Sequence, residues 1–149
     1  MNNKFYLVTD YIQNLFKDNE VVNTIIYART EENDILKNNV YPMVHINPVT
    51  SPWVNRGSNI FSFEIGVLNQ RIKDNRGDKE KIDGNQNIID NHNLTYSIIN
   101  EFLTAVERDI NSHIYLENVS GIEPIFLQAP NSLDGFSFTI ELKIENDIE

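Results

Sequence analysis

Residues 61–65 (FSFEI) and 136–140 (FSFTI) repeat one pattern about half a chain length apart. In both, apolar side chains alternate with polar ones, which is the period of a β-strand with one buried face. The alternation extends over 60–68 and 136–144. We therefore predict two strands that supply a Phe-x-Phe-x-Ile stripe to the same apolar face of one sheet. Chance repetition of strand patterning explains the similarity better than duplication does.

Two other segments, 4–17 and 90–110, have the spacing of helices with one buried face. Asn2 or Asn3 is the expected N-cap of the first helix, and Asp90 or Asn91 that of the second. The apolar positions are Phe5, Val8, Ile12, Leu15 and Phe16 in the first segment and Leu94, Ile98, Phe102, Val106 and Ile110 in the second.

The remaining apolar segments are short and rich in β-branched or aromatic residues, which favours strands. The stretch PNSLDG at 130–135 is a turn by composition, and 31–39 suits a short helical turn or a loop. The further predicted strands are 21–28, 41–46, 113–116 and 123–128.

These elements predict a single α+β domain over residues 1–149. Consecutive strands joined by short turns favour antiparallel pairing, so we expect a mostly antiparallel sheet of four to six strands with both helices packed on one face. Residues 71–87 (RIKDNRGDKEKIDGNQN) form a long charged loop, which we expect to be flexible and functional. The acidic tail at 145–149 is expected to be loose.

Composition excludes several classes of function. The chain has a net charge of −10, and no basic stripe interrupts it, so we expect no grip on DNA or RNA. The absence of cysteine excludes disulfides, thiolate metal sites and cysteine nucleophiles. No run of 18 or more apolar residues is present, so no helix is expected to span a membrane.

The residues that carry chemistry are scattered. His45, His92 and His113 show no metal-ligand spacing, and surface or capping roles suit them better. Phosphate-binding glycine loops are missing. We predict no catalytic residue, no cofactor and no metal. An enzyme would gain support if Glu64, Asp90 and a histidine converged in one cleft, whereas the alternation places Glu64 on the sheet face opposite the helices.

Trp53, the only tryptophan, lies in a loop rich in turn-forming residues. It is either a lid over one end of the sheet or an aromatic anchor for a partner, and the lid is the preferred interpretation. The candidate interface residues are Trp53, Arg71, Lys73, Arg76, Asp78, Lys79, Glu80 and Lys81.

The order of elements resembles that of the tail terminator and head–tail connector (neck) proteins of tailed bacteriophages. The resemblance spans about residues 3–144: an amphipathic helix, the alternating strand IFSFEIGVLNQRI with its charged loop, the helix NLTYSIINEFLTAVERDI, and a final hairpin closed by FSFTIELKI. It implies a structural virion protein rather than an enzyme, with no catalytic signature to transfer.

The resemblance further implies a homo-oligomeric ring, of six or twelve copies, around the DNA channel. Its partners would be copies of itself, the portal or connector and the tail proteins, and DNA would pass through the lumen without specific binding. The protein would reside in the virion neck or tail, and in the host cytoplasm during assembly. The alternative hypotheses are a non-catalytic adaptor of a bacterial mobile element, acting as monomer or dimer, and an enzyme with dispersed carboxylates.

Overall fold

The computed structural model describes residues 3–27, 40–53, 57–71, 86–109, 113–127 and 132–145. Within them the chain forms two helices and six strands, which confirms the predicted α+β class. In chain order the elements are α1 (Lys4–Lys17), β1 (Thr24–Tyr27), β2 (Met43–Val49), β3 (Ser58–Gln70), α2 (Gln86–Arg108), β4 (Ile114–Val119), β5 (Glu123–Leu127) and β6 (Leu133–Glu145).

The six strands form one sheet in the order β1-β2-β3-β6-β4, and β5 pairs with β6 beside β4. Strands β3 and β6, each 13 residues long, are antiparallel and pair over their whole length. The two repeated motifs are therefore direct partners, with Phe63 opposite Ile140 and Ile65 opposite Phe138. Their similarity reflects the shared environment of two central strands, which present the same apolar stripe to the same face.

Both helices cover that face and form the main core with it. The ring of Phe16 in α1 stacks on Phe102 in α2 with centroids 4.3 Å apart, and the centroids of Phe102 and Phe138 are 6.2 Å apart. Phe16, Phe102 and Phe138 thus join α1, α2 and β6 in one stack of rings. Burying a side chain of this size stabilises the fold by about 1.5–3 kcal/mol, so this face holds the larger share of the apolar stabilisation.

A smaller apolar cluster lies on the opposite face at one end of the sheet. Its buried members are Met43, Leu68 and Leu133, and Ile26 and Ile125 pack against it. Met43 and Leu68 are directly paired across β2 and β3. Because side chains alternate along a strand, these residues belong to the set that points away from the helices.

The predicted facing of β3 is confirmed for Phe63, Ile65 and Val67, which are fully buried under the helices. The other set, Ser62, Glu64 and Gly66, lies on the opposite face as the alternation predicts. The strand is nevertheless more than half-buried, because Ser62 is 3% exposed and Gly66 is also buried. Strand periodicity states which side of the sheet a residue occupies. Whether other residues cover that side is decided by the tertiary structure.

The pairing of β1 with β2 also differs from the prediction, because these consecutive strands are parallel. Parallel neighbours need a connection of about a dozen residues or more, and the chain runs from Tyr27 to Met43 between the two strands. The connection is therefore long enough for β2 to begin beside the start of β1 and run in the same direction. The predicted element at 31–39 lies outside the described residues.

Two predicted boundaries are wrong. Helix α2 begins at Gln86, so Asp90 and Asn91 are helical residues and not its cap. Strand β6 begins at Leu133, so the turn predicted for 130–135 does not include Asp134 or Gly135. The bounds of α1 match the prediction, although its N-cap residue Asn3 makes no side-chain capping hydrogen bond. No helix in the described ranges is long and apolar enough to cross a membrane.

Candidate interaction surfaces

A buried carboxylate ties together the ends of β3 and β6 and the first turns of α2. Asp134 is fully buried and receives two hydrogen bonds from Arg71, Nη2 to Oδ1 at 2.6 Å and Nε to Oδ2 at 3.0 Å. The side-chain amide of Asn91 donates to Oδ2 at 3.2 Å. The side-chain amide of Asn69 donates to the side-chain oxygen of Asn91, Oδ1, at 2.9 Å. This Asp134 network satisfies a charge that would otherwise be costly to bury.

The network shifts the pKa of both charged groups. Burial alone would raise the pKa of Asp134, but the hydrogen bonds from Arg71 and Asn91 and the guanidinium charge lower it below its ordinary value. The hydrogen bond to Asp134 correspondingly raises the pKa of Arg71. Both groups therefore remain ionised at neutral pH.

Gly135, the neighbour of Asp134, allows β6 to approach β3 closely. A Cβ atom at this position would lie 1.8 Å from the backbone oxygen of Val67, far inside any allowed contact. Only glycine fits where two backbones come this near. The residues Asp-Gly, which suit a turn, thus serve a central strand here. Asp134 supplies the carboxylate of the ion pair, and Gly135 permits the close approach of the two backbones.

Two of the predicted interface residues, Trp53 and Arg71, lie in the part of the chain that the structure describes, and their environments differ. Trp53 is 86% exposed, so the interpretation of it as a lid over the sheet is wrong. It remains available as an aromatic anchor. Arg71 directly follows β3 and pairs with Asp134 in β6, so it stabilises the fold where β3 ends. The other candidates lie outside the described residues: Lys73, Arg76, Asp78, Lys79, Glu80 and Lys81.

An exposed apolar surface lies at the start of α1 and consists of Phe5, Tyr6 and Leu7, which we name the α1 patch. Their side chains are 41%, 72% and 41% exposed. The ring of Phe5 packs on Phe61 and Phe63, with centroids 5.4 and 5.9 Å apart. The patch is thus seated on the core on one side and open to solvent on the other.

A second exposed surface lies where α2 meets β5 and consists of Ile89, His92, Tyr96, Phe126 and Phe136, which we name the α2–β5 patch. His92 lies edge-on to Phe126 with centroids 4.6 Å apart, and its Nε2 is 3.1 Å from the backbone oxygen of Ile125. Tyr96 packs on Phe136 at 5.4 Å. Ile89 and Phe126 are each 58% exposed. Of the two roles predicted for His92, surface or cap, the structure agrees with the first, because its half-buried ring supports this surface and α2 begins earlier, at Gln86.

The two patches are far apart on the molecule. The α1 patch contacts Phe61 in β3, whereas the α2–β5 patch includes Phe136, which is the partner of Val67 in the same pair of strands. The six-residue advance from Phe61 to Val67 corresponds to about 20 Å at the rise of a β-strand. One chain therefore presents two separate apolar surfaces rather than one continuous area.

The sheet offers further contact sites at its margins. Among the described residues, β1 pairs with β2 alone, while β4 and β5 pair with β6 alone. The outer side of each of these strands can accept another strand, unless other parts of the chain or a partner cover it. Both margins are therefore candidates for contact between subunits.

Glu64 and Asp90, which lie in described parts of the chain, do not converge. Glu64 lies on the face opposite the helices and Asp90 is exposed on α2, which covers the other face. Within the described ranges, no group of three or more histidine, cysteine or carboxylate side chains could hold a metal ion. His45, predicted to have a surface role, is 4% exposed in β2. Its Nε2 and the Ser62 hydroxyl have no hydrogen-bond partner in the part of the chain that the structure describes.

A groove of about 230 Å³ separates the end of α1 from α2. Asn19 donates a hydrogen bond of 2.9 Å to Glu101 within it, and Leu15, Ile98 and Phe102 line its floor. Ligand sites more commonly enclose about 300–1,000 Å³. The groove is smaller than that and contains no cluster of catalytic groups.

No protein-family model matches this chain, and no curated protein matches it significantly in sequence. The interpretation of its surfaces therefore rests on their chemistry and on the resemblance in the order of elements.

Proposed function

We propose that the protein is a structural, ring-forming subunit of the neck or tail of a tailed bacteriophage, either a tail terminator or a head–tail connector. In this role it binds copies of itself, in rings of six or twelve, and the portal, connector and tail proteins above and below. It has no catalytic function. DNA passes through the lumen, and the protein resides in the virion after assembly in the host cytoplasm.

The observation that carries the proposal is the presence of two exposed apolar patches about 20 Å apart along the central strands. Contiguous apolar surface with aromatic side chains, bordered by polar residues, is typical of protein–protein contact sites. Two separate surfaces on one chain allow it to bind a neighbour on each side. Repeated contacts of this kind close into a ring when the rotation between subunits permits.

The net charge supports the same role. A ring of chains that each carry −10 is strongly negative, and duplex DNA is attracted mainly by lysine and arginine side chains that neutralise its phosphates. A negative lumen repels DNA weakly at close range and offers no site at which it would adhere. Passage without binding is the behaviour that a DNA channel requires.

The proposal is tested by electron microscopy and mass photometry of the purified chain, alone and co-expressed with the proteins encoded beside its gene. We expect closed rings with a central channel, either from the chain alone at high concentration or on the surface of a tail tube or portal. Because like charges oppose assembly, raising the salt concentration from 50 to 500 mM should promote it.

The variant that tests the two patches is Tyr6→Ser, Phe126→Ser, with the wild-type chain as its control. It changes two exposed side chains, one in each patch. It should keep the wild-type circular dichroism spectrum and form fewer rings. The proposal is overturned if the wild-type chain stays monomeric or dimeric in every combination, which is the behaviour of an adaptor, or if it binds only a protein unrelated to a virion.

A further inference from the structure

We propose that the sheet face opposite the helices binds an arginine side chain of a partner protein at Gly66. The residues around this position are His45, Glu64, Leu68 and Ser137, and we name the site the Gly66 slot. The inference goes beyond the proposed function and does not require a ring, because the slot lies within one chain and involves neither apolar patch.

The register of the sheet arranges these residues around Gly66. Gly66 pairs with His45 of β2 on one side and with Ser137 of β6 on the other. Because neighbouring strands lie about 5 Å apart, His45 and Ser137 are separated by about 10 Å, with Gly66 between them. Glu64 and Leu68 precede and follow Gly66 on the same face of β3, since side chains alternate along a strand.

Gly66 contributes no side chain to this face. It is buried, yet a Cβ atom at this position would have no described atom within 4 Å. At Gly135, on the same face, a Cβ atom would collide with the backbone of Val67. A close approach of two backbones therefore requires glycine at 135 but not at 66, where its consequence is free space above the strand.

Three polar side chains on this face have no partner in the part of the chain that the structure describes. The His45 Nε2 and the Ser62 hydroxyl are buried without a hydrogen bond, in side chains that are 4% and 3% exposed. Glu64 is half-buried, and no described residue forms an ion pair or a hydrogen bond with it. Buried polar atoms without a partner are costly, so a ligand that supplies donors to them is bound favourably.

The charge of the face selects a cation. The carboxylates of Glu64, Glu123 and Glu141 lie on it, because their positions in the register match those of Ser137 and its outward neighbours. Lys143 is the one cation on this face among the described strand residues, and it forms no ion pair there. It pairs with Ile60, four residues before Glu64 on β3, so it lies away from the slot.

An arginine side chain matches both ends of the slot. Its planar guanidinium can donate to both oxygens of the Glu64 carboxylate and also to the Ser62 hydroxyl. Its aliphatic part can pack on Leu68 and Met43 of the smaller apolar cluster. Arginine is also enriched at protein–protein contact sites.

NMR titration of the isotope-labelled full chain tests the inference. The probe is N-acetyl-L-arginine amide, and the control is N-acetyl-L-citrulline amide, which has a similar shape and no charge. We expect saturable shifts of the backbone amide signals of His45, Glu64 and Gly66 at millimolar concentrations of the arginine probe. The citrulline probe should bind at least about tenfold more weakly, because it lacks the charge-assisted hydrogen bonds.

Three variants locate the binding. Glu64→Gln should weaken it at least about tenfold. Gly66→Val should abolish it while the Tm stays equal or rises, because a Cβ atom there meets no described atom and valine is favoured in strands. The matched control, Glu123→Gln, removes an exposed carboxylate of the same face outside the slot and should change the affinity by less than about twofold at physiological salt.

Several outcomes would overturn the inference. They are the absence of saturable shifts, shifts at other residues, equal binding of both probes, and binding that survives Gly66→Val. A Tm lowered by Glu64→Gln but not by Glu123→Gln would show that a cation of the same chain already pairs with Glu64. Free L-arginine that binds about tenfold more tightly than the capped probe would make the ligand an amino acid and not a partner protein.

The outcomes are separate from those of the proposed function. Rings that form from a chain that does not bind the arginine probe would refute the Gly66 slot alone. A chain that binds the probe and never forms rings would refute the ring and leave the slot standing.

Discussion

The two faces of the β3–β6 pair bury their residues by different means. Under the helices, Phe63 and Ile65 are fully buried among large apolar side chains. On the opposite face, Ser62 is 3% exposed, yet its hydroxyl has no hydrogen-bond partner among the described residues. Adjacent residues can therefore be equally buried while only one of them contributes a large apolar side chain. Burial alone does not identify the core; the volume and polarity of the buried atoms do.

The opposite face is itself divided. At one end it has the apolar cluster of Met43, Leu68 and Leu133, next to the Asp134 network. Towards the other end it presents Ser62 and Glu64. Stabilisation on this face thus comes mainly from a local apolar cluster. The helix-covered face is apolar along most of its length and ends at the Asp134 network, because Asp134 shares the face of Phe136 and Phe138 and is hydrogen-bonded to Asn91 of α2.

The largest effect should come from the helix-covered face. Phe63→Ala removes a fully buried ring that contacts Phe5, and we expect a loss of about 3–5 kcal/mol in the free energy of unfolding. Urea denaturation followed by circular dichroism measures it. A loss no greater than that of Ser62→Ala would refute the difference between the two faces.

The Asp134 network should give the next largest effect. Asp134→Asn removes the charge that pairs with Arg71, and we expect a loss of about 1.5–3 kcal/mol at pH 7, the range for hydrogen bonds to charged groups. Arg71 is left able to reach water, because its side chain is 22% exposed. Thermal and urea unfolding of the variant and the wild type, compared at the same pH, measure the difference.

The difference in stability between the wild type and Asp134→Asn should depend on pH. Because the folded-state pKa of Asp134 is lowered, the carboxylate stabilises the fold above its ordinary pKa of about 3.9 and loses this contribution as the pH falls through the folded value. The stability difference between wild type and Asp134→Asn should therefore shrink between about pH 5 and pH 2. A difference that is constant over this range would contradict the proposed origin of the pKa shift.

A smaller effect of opposite sign is expected at Ser62. Ser62→Ala removes a buried hydroxyl without a described partner, so the protein should become equally stable or more stable, by up to about 1 kcal/mol. Urea denaturation measures whether the free energy of unfolding rises or falls in this variant. A loss greater than about 1 kcal/mol would indicate that the hydroxyl is hydrogen-bonded in solution, and the contrast with Phe63 would then be one of size alone.

The smallest effect on stability should come from the exposed aromatic residues. Trp53→Ala and Tyr6→Ser change side chains that are 86% and 72% exposed, and each should alter the free energy of unfolding by no more than about 0.5 kcal/mol. On the proposed function, at least Tyr6→Ser should still reduce ring formation in mass photometry. Equal ring formation by Tyr6→Ser and wild type would contradict the role that the proposed function gives to the α1 patch.

Much of the fold could be predicted because its signals are local. The spacing of apolar residues located α1 at its observed bounds and located both central strands, since each pattern reports the period of its own backbone. The parallel β1–β2 pair could not be found this way, because the direction of pairing depends on the path of the intervening chain. The ion pair of Arg71 with Asp134 joins residues 63 positions apart, and no local pattern reports it.

The candidate surfaces could be predicted only in part. The sequence indicates Trp53 as a possible anchor, and its side chain is 86% exposed. It does not indicate the α1 and α2–β5 patches, because Phe5, Tyr96 and Phe126 occupy positions whose apolar character suits a core equally well.

Periodicity and charge are properties of the chain alone, so the helices, the central strands, their shared apolar stripe and the acidic character follow from the order of the amino acids. The burial of Asp134 with Arg71, the covering of Ser62 and the exposure of two aromatic surfaces appear only in the folded molecule. These features depend on which distant residues meet across the sheet and which do not, and proximity in space is not encoded at any single stretch of sequence.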